Sequence, residues 1–91
     1  MANKIRCSHI LVEKLSVAEE ILKKLKAGGN FSALAEQYSI DGSRRRGGDL
    51  GEFGRGMMVK PFEEAAFKLE KDQISEIVKT QFGYHIIKRT A

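Results

Sequence analysis

The sequence predicts one small domain that mixes α and β structure. The chain has 91 residues, enough for one domain and too few for two, so residues 1–91 are read as a single unit. Apolar residues alternate at both ends and recur at helical spacing between them. Glycine, proline, serine and asparagine fall between these segments, where turns and caps are needed.

Residues 5–12 read as a strand with Ile5, Cys7, His9 and Leu11 on one face and Arg6, Ser8, Ile10 and Val12 on the other. Ser16-Val17-Ala18-Glu19 has the capping-box pattern and is expected to open a helix. Ala18, Ile21, Leu22 and Leu25 follow at helical spacing, Lys23, Lys24 and Lys26 suit the negative end of the helix dipole, and Gly28-Gly29 ends the helix. Asn30 can cap a second helix whose apolar stripe is Phe31, Leu34, Ala35 and Tyr38. A polar loop is expected over 41–48 and a short strand over 49–53. Pro61 fits the first position of another helix, with Phe62, Ala65, Ala66 and Leu69 facing inward. Strands over 74–78 and 83–88 finish the chain as a hairpin with about four residues between them. The order is β-α-α-β-α-β-β.

Composition narrows the classes of function. A hydrophobic content of 42% is that of a folded chain. Lys4, Arg6, His9 and Glu13 interrupt every apolar run near the start, so no signal peptide is read there, and no apolar stretch is long enough to span a membrane. The one cysteine, Cys7, allows no intramolecular disulfide, and a cytoplasmic location is expected. The net charge of +4 would favour weak binding to anionic surfaces through Lys and Arg.

Few residues carry chemistry. His9 and His85 lie in the first and last strands, and if those strands pair antiparallel in mid-sheet their rings can meet on one face. Two imidazoles in contact resist double protonation and can hydrogen-bond as neutral tautomers. Taken singly, each histidine reads as a satisfied core residue, Asp41 as an Asx turn with Gly42, and Cys7 as a small buried side chain. The chain has no CxxC, no HxxxH and no G-x-S-x-G. The glycines of 47–56 match no phosphate-cradling motif, and Arg44-Arg45-Arg46 lacks interleaved aromatics for nucleic acid. Leu50, Met57, Met58, Val59, Phe62 and Phe82 form an apolar group that packs a core or lines a shallow pocket.

Four segments resemble, in order, the parvulin family of peptidyl-prolyl cis/trans isomerases. They are His9-Ile10-Leu11-Val12, Gly47-Gly48-Asp49-Leu50-Gly51, Met58-Val59-Lys60-Pro61-Phe62 with Ala65-Ala66-Phe67, and Phe82-Gly83-Tyr84-His85-Ile86-Ile87. The resemblance implies the α+β parvulin (FKBP-like) fold, a four-stranded antiparallel sheet with about four helices, one of them short and preceding the second strand. It implies an isomerase of Xaa-Pro bonds that assists protein folding, needs no cofactor or metal, and acts on proline-containing polypeptides. By position, His9 and His85 would be the paired histidines, Thr80 would hold one imidazole, and Asp41 would stand where other members carry Cys or Asp. Leu50, Met58 and Phe62 would hold the proline ring, with Phe82 at the rim. Phosphate-selective members carry a longer basic loop after the first strand; here Glu13-Lys14-Leu15 alone precede Ser16, so no phosphate preference is expected. A peptide-binding or chaperone module without turnover is the rival on the same fold. A monomer is expected because no large apolar stripe is left over.

Overall fold

The computed structural model describes residues 3–91. Strand β1 (Lys4–Val12) leads into helices α1 (Leu15–Lys26) and α2 (Phe31–Tyr38) and a 3-10 helix (Gly42–Arg46). Strand β2 (Asp49–Gly54), helix α3 (Lys60–Lys68) and strands β3 (Val78–Thr80) and β4 (Gly83–Arg89) complete the chain. The strands form one antiparallel sheet in the order β2-β1-β4-β3, so the terminal strands are its centre.

The alternation along β1 decides what lies on each face. Ile10 and Val12 join Ile86 against Ala18, Ile21, Leu22 and Leu25 of α1 and Phe31, Leu34 and Ala35 of α2. Ile5 and Cys7 join Phe53 and Ile87 against Phe62, Ala66 and Leu69 around α3. Two helices thus cover one face and one covers part of the other, leaving the rest of that second face to the site.

Ladder irregularities have local causes. Arg6 pairs with Glu52 and Ser8 with Asp49, so three steps along β2 match two along β1. The extra residue is a β-bulge, with Gly51 at φ 75°. Strict alternation would put Leu50 and Phe53 on opposite faces; the bulge lets both pack in the α3 cluster. The expected strand over 74–78 starts later, at Val78, with only an isolated bridge from Ile74 to Lys88. Ser75 is the reason: its hydroxyl accepts the Ile87 N–H at 2.9 Å, taking a bond the main chain would otherwise make. The hairpin loop shortens to Gln81 and Phe82, because Thr80 pairs with Gly83.

Three helix details also differ from expectation. Only Glu13 and Lys14 separate β1 from α1, so the helix opens after Lys14 with no side-chain cap, and Ser16 falls inside its first turn. Pro61 takes the second helical position, after Lys60, where a missing N–H is still harmless. The loop over 41–48 contains the short helix, of 3-10 type. Asp41 caps it by accepting the Ser43 N–H at 2.9 Å, the Asx geometry expected of that residue. Asn30 caps α2 as expected, accepting the Ala33 N–H at 2.9 Å.

Candidate active site

Beside α3, a cavity of about 320 Å³ opens on the second face of the sheet. Its floor is His9 and Leu11 of β1 and His85 of β4. Its walls are Leu50 of β2, Met57, Met58 and Val59 of the following loop, and Phe62 of α3. Asp41 and Phe82 stand at its margin. Seven of the eight residues singled out from the sequence line this space; Thr80 lies behind His85.

The central strands bring the two imidazoles together. His9 and His85 are 4% and 3% exposed, and their Nδ1 atoms are 3.0 Å apart. The ring planes are inclined by only 22°, with centroids 5.2 Å apart, so the rings meet edge to edge through these nitrogens. The Phe62 ring meets both edge-on, at 5.6 and 5.3 Å between centroids, and so fixes them from the cavity side. Thr80 Oγ1 lies 2.7 Å from His85 Nε2 and accepts the Phe82 N–H at 3.1 Å.

One proton arrangement satisfies this row. Asp41 Oδ2 lies 3.2 Å from His9 Nε2, an electrostatic contact without the alignment of a strong hydrogen bond. A carboxylate there requires a proton on Nε2, which leaves Nδ1 of neutral His9 as an acceptor. His85 then donates from Nδ1, and its bare Nε2 accepts the Thr80 hydroxyl proton. The opposite order would aim the His9 lone pair at a carboxylate.

The charge states agree. Burial pushes His9 below the ordinary imidazole value, against the pull of Asp41. Burial, then the neighbouring His9, pushes His85 down to about 4. For Asp41, burial acts upward but is outweighed by hydrogen bonding to Ser43 and the contact with His9, leaving its pKa at about 2. At neutral pH the site holds two neutral imidazoles and one carboxylate beside an apolar wall.

Some supports had no signal in the sequence. Ser39, 2% exposed, accepts the Leu11 N–H at 3.1 Å, and Ile40 N–H donates to Leu11 O at 2.8 Å. These bonds pin the segment before Asp41 to the end of β1. Gly48 O accepts the His9 N–H at 2.9 Å. Across Asp41 lies a larger cavity of about 450 Å³, lined by Glu36, Ile40, Gly42, Arg44 and Arg45; its lining is polar and carries both signs of charge. Among the described residues no three His, Cys, Asp or Glu side chains are grouped to hold a metal ion.

A four-stranded antiparallel sheet with paired histidines on its central strands, facing an apolar cavity beneath one helix, defines the parvulin class of peptidyl-prolyl isomerases. Residues 1–91 match the family described as the PPIC-type PPIase domain, and the chain belongs to it. It is 60% identical over 88 residues to foldase protein PrsA 4 of Bacillus cereus, covering 96% of this chain and 31% of that protein. The crystal structure of PrsA from Bacillus subtilis superposes with a TM-score of 0.95 at 54% identity, over 98% of this chain and 35% of that one. The solution structure of NmPin, the parvulin of Nitrosopumilus maritimus, gives a TM-score of 0.88 at 58% identity, over 100% of this chain and 99% of that one. The chain thus spans about a third of the length of its foldase relatives and nearly all of the archaeal parvulin.

Proposed function

We propose that the cavity binds the proline ring of an unfolded or folding polypeptide and eases rotation about the preceding peptide bond without any covalent step. The reading is carried by the ionised Asp41 standing beside an apolar socket. Resonance makes this rotation cost about 18–20 kcal/mol, and the uncatalysed X-Pro bond turns over in tens to hundreds of seconds. About 4 kcal/mol of relief gives a thousandfold gain. At the twisted midpoint conjugation is lost and the carbonyl oxygen carries less negative charge. Asp41 beside that oxygen disfavours the planar, polarised amide, and the apolar wall of Leu50, Met58 and Phe62 favours the less polar twisted form. His9 and His85 stay neutral and hold Asp41 and the floor in place; Thr80 holds the tautomer. Phe82 closes the rim.

Asp41→Ala in a protease-coupled proline-peptide assay tests this. Turnover is expected to fall by about tenfold or more, and unchanged turnover removes Asp41 from the mechanism.

Phosphate is not required on this reading. Glu13, exposed after β1, would repel a phosphoserine or phosphothreonine before the proline. Equal kcat/KM for alanyl-proline and phosphoseryl-proline peptides is expected, and a strong preference for the latter would assign Arg44 and Arg45 to the site. Assistance to folding chains fits the foldase name of the relatives. The same reading covers a monomeric, cytoplasmic protein with weak, salt-sensitive attraction to anionic surfaces through Lys and Arg. No helix among the described residues is long and apolar enough to cross a membrane.

A further inference from the structure

The loop between β2 and α3 supplies Met57, Met58 and Val59 to the cavity wall but lies outside the sheet. One carboxylate ties it down. Glu63, in the first turn of α3, accepts the Gly56 N–H and sits 3.5 Å from Arg55 Nη1. The Glu63 side chain is 15% exposed and that of Arg55 63%, so the acid is tucked under the turn. Arg55 lies over the Phe67 ring, 4.3 Å from its centre. Phe67 meets Phe53 edge-on at 6.1 Å, and Phe53 leans on Phe62 at the same separation. Loop and floor are thereby referenced to one helix.

We infer that Glu63 is a positioning residue for the proline pocket: it staples the turn at Arg55 and Gly56 to α3 so that Met58 closes against Phe62. The inference rests on the proposed function of the cavity. Glu63 touches no substrate; it acts through the Gly56 backbone and the loop that follows. Contact with the proline ring itself is made in planar and twisted states alike, and Leu50 and Phe62, held by β2 and α3 rather than by the loop, still supply the apolar surroundings that favour the twisted bond. Releasing the loop therefore weakens binding and leaves the rotation step nearly unchanged, a rise in KM with kcat kept.

The test compares Glu63→Ala, Glu63→Asp and Met58→Ala with the parent chain. KM and kcat come from exchange between cis and trans signals of an alanyl-proline peptide by NMR, and amide hydrogen exchange is followed at Gly56. Glu63→Ala is expected to raise KM about five- to tenfold with kcat within about twofold, and to expose the Gly56 amide. Glu63→Asp keeps the charge but reaches one methylene less, and is expected to fall between. An exposed Gly56 amide with unchanged KM overturns the inference. If Glu63→Ala does not fold, Glu63→Asp decides on the same two readouts. Met58→Ala separates the two levels of the argument. If it leaves KM unchanged, the pocket reading fails; if it raises KM while the Glu63 variants do not, only the staple fails.

Discussion

His9 and His85 touch through their Nδ1 atoms at 3.0 Å although they are not cross-strand partners. His9 lies opposite Ile87, and His85 opposite Leu11, so the rings meet on the diagonal of the ladder. A diagonal neighbour is near enough for two planar side chains that lean together. The geometry joins Thr80, two imidazoles and Asp41 into one row across the sheet, and the first expectations concern its ends and its charge.

Acidification should destabilise the fold in a defined window. The folded His85 titrates at about 4, below its ordinary 6.5. Between those values the unfolded chain binds a proton that the folded chain refuses, so stability falls as pH falls from 6.5 to about 4. The loss is on the order of 3 kcal/mol at 1.36 kcal/mol per unit. Asp41 shifts in the same direction with the same consequence: its folded value of about 2 lies below 3.8, so its contribution is full above 3.8 and is lost as pH falls toward 2. Urea midpoints across this range check the sum, and a flat midpoint from 6.5 to about 4 contradicts a neutral buried His85.

Thr80→Val should cost both ends of a bond pair. It strips the partner from His85 Nε2 and the acceptor from the Phe82 N–H. The expected loss is about 1–3 kcal/mol in chemical denaturation, with reduced turnover. Thr80→Ser, which keeps the hydroxyl, should recover most of both; a serine variant as impaired as the valine one would show that the methyl group matters more.

Phe62→Ala and Met58→Ala should separate packing from binding. Phe62 is 2% exposed and braces both histidines, so its truncation is expected to cost about 3–5 kcal/mol along with activity. Met58 is only partly buried. Its truncation should leave the melting temperature nearly unchanged while kcat/KM drops about tenfold.

Gly48→Ala should be far worse than Gly42→Ala. Gly48 has φ 89°, and a Cβ there would fall 2.3 Å from His9 O, on the strand that carries the site. About 2–4 kcal/mol of stability is expected to be lost. A Cβ at Gly42 meets nothing within 4 Å, and that variant should stay within about 0.5 kcal/mol of the parent in the same denaturation experiment.

The sequence was legible wherever one periodicity acted alone. Ile5 to Val12 alternate cleanly, and both faces of β1 are as the alternation predicts. Ala18, Ile21, Leu22 and Leu25 likewise define the buried face of α1. It was misleading where a side chain replaced a main-chain partner. Ser75 entered the ladder and delayed β3 to Val78, and no local pattern announces such a substitution. The capping box at Ser16 failed because a two-residue connection from β1 sets the helix start. At the site, the residue types alone left His9, His85 and Asp41 open to bland readings, and the family resemblance singled them out; folding then brought them into contact. Ser39 and Glu63 escaped notice because each matters through a backbone N–H distant in sequence, Leu11 for one and Gly56 for the other.

The Ser75 insertion and the Gly51 bulge have a joint consequence at the outer margins of the sheet. One border strand is only three residues long, and the other is kinked in its middle. An incoming extended chain finds no long, flat row of free amides and carbonyls to zip onto at either border. The sheet is thereby guarded against strand-by-strand aggregation.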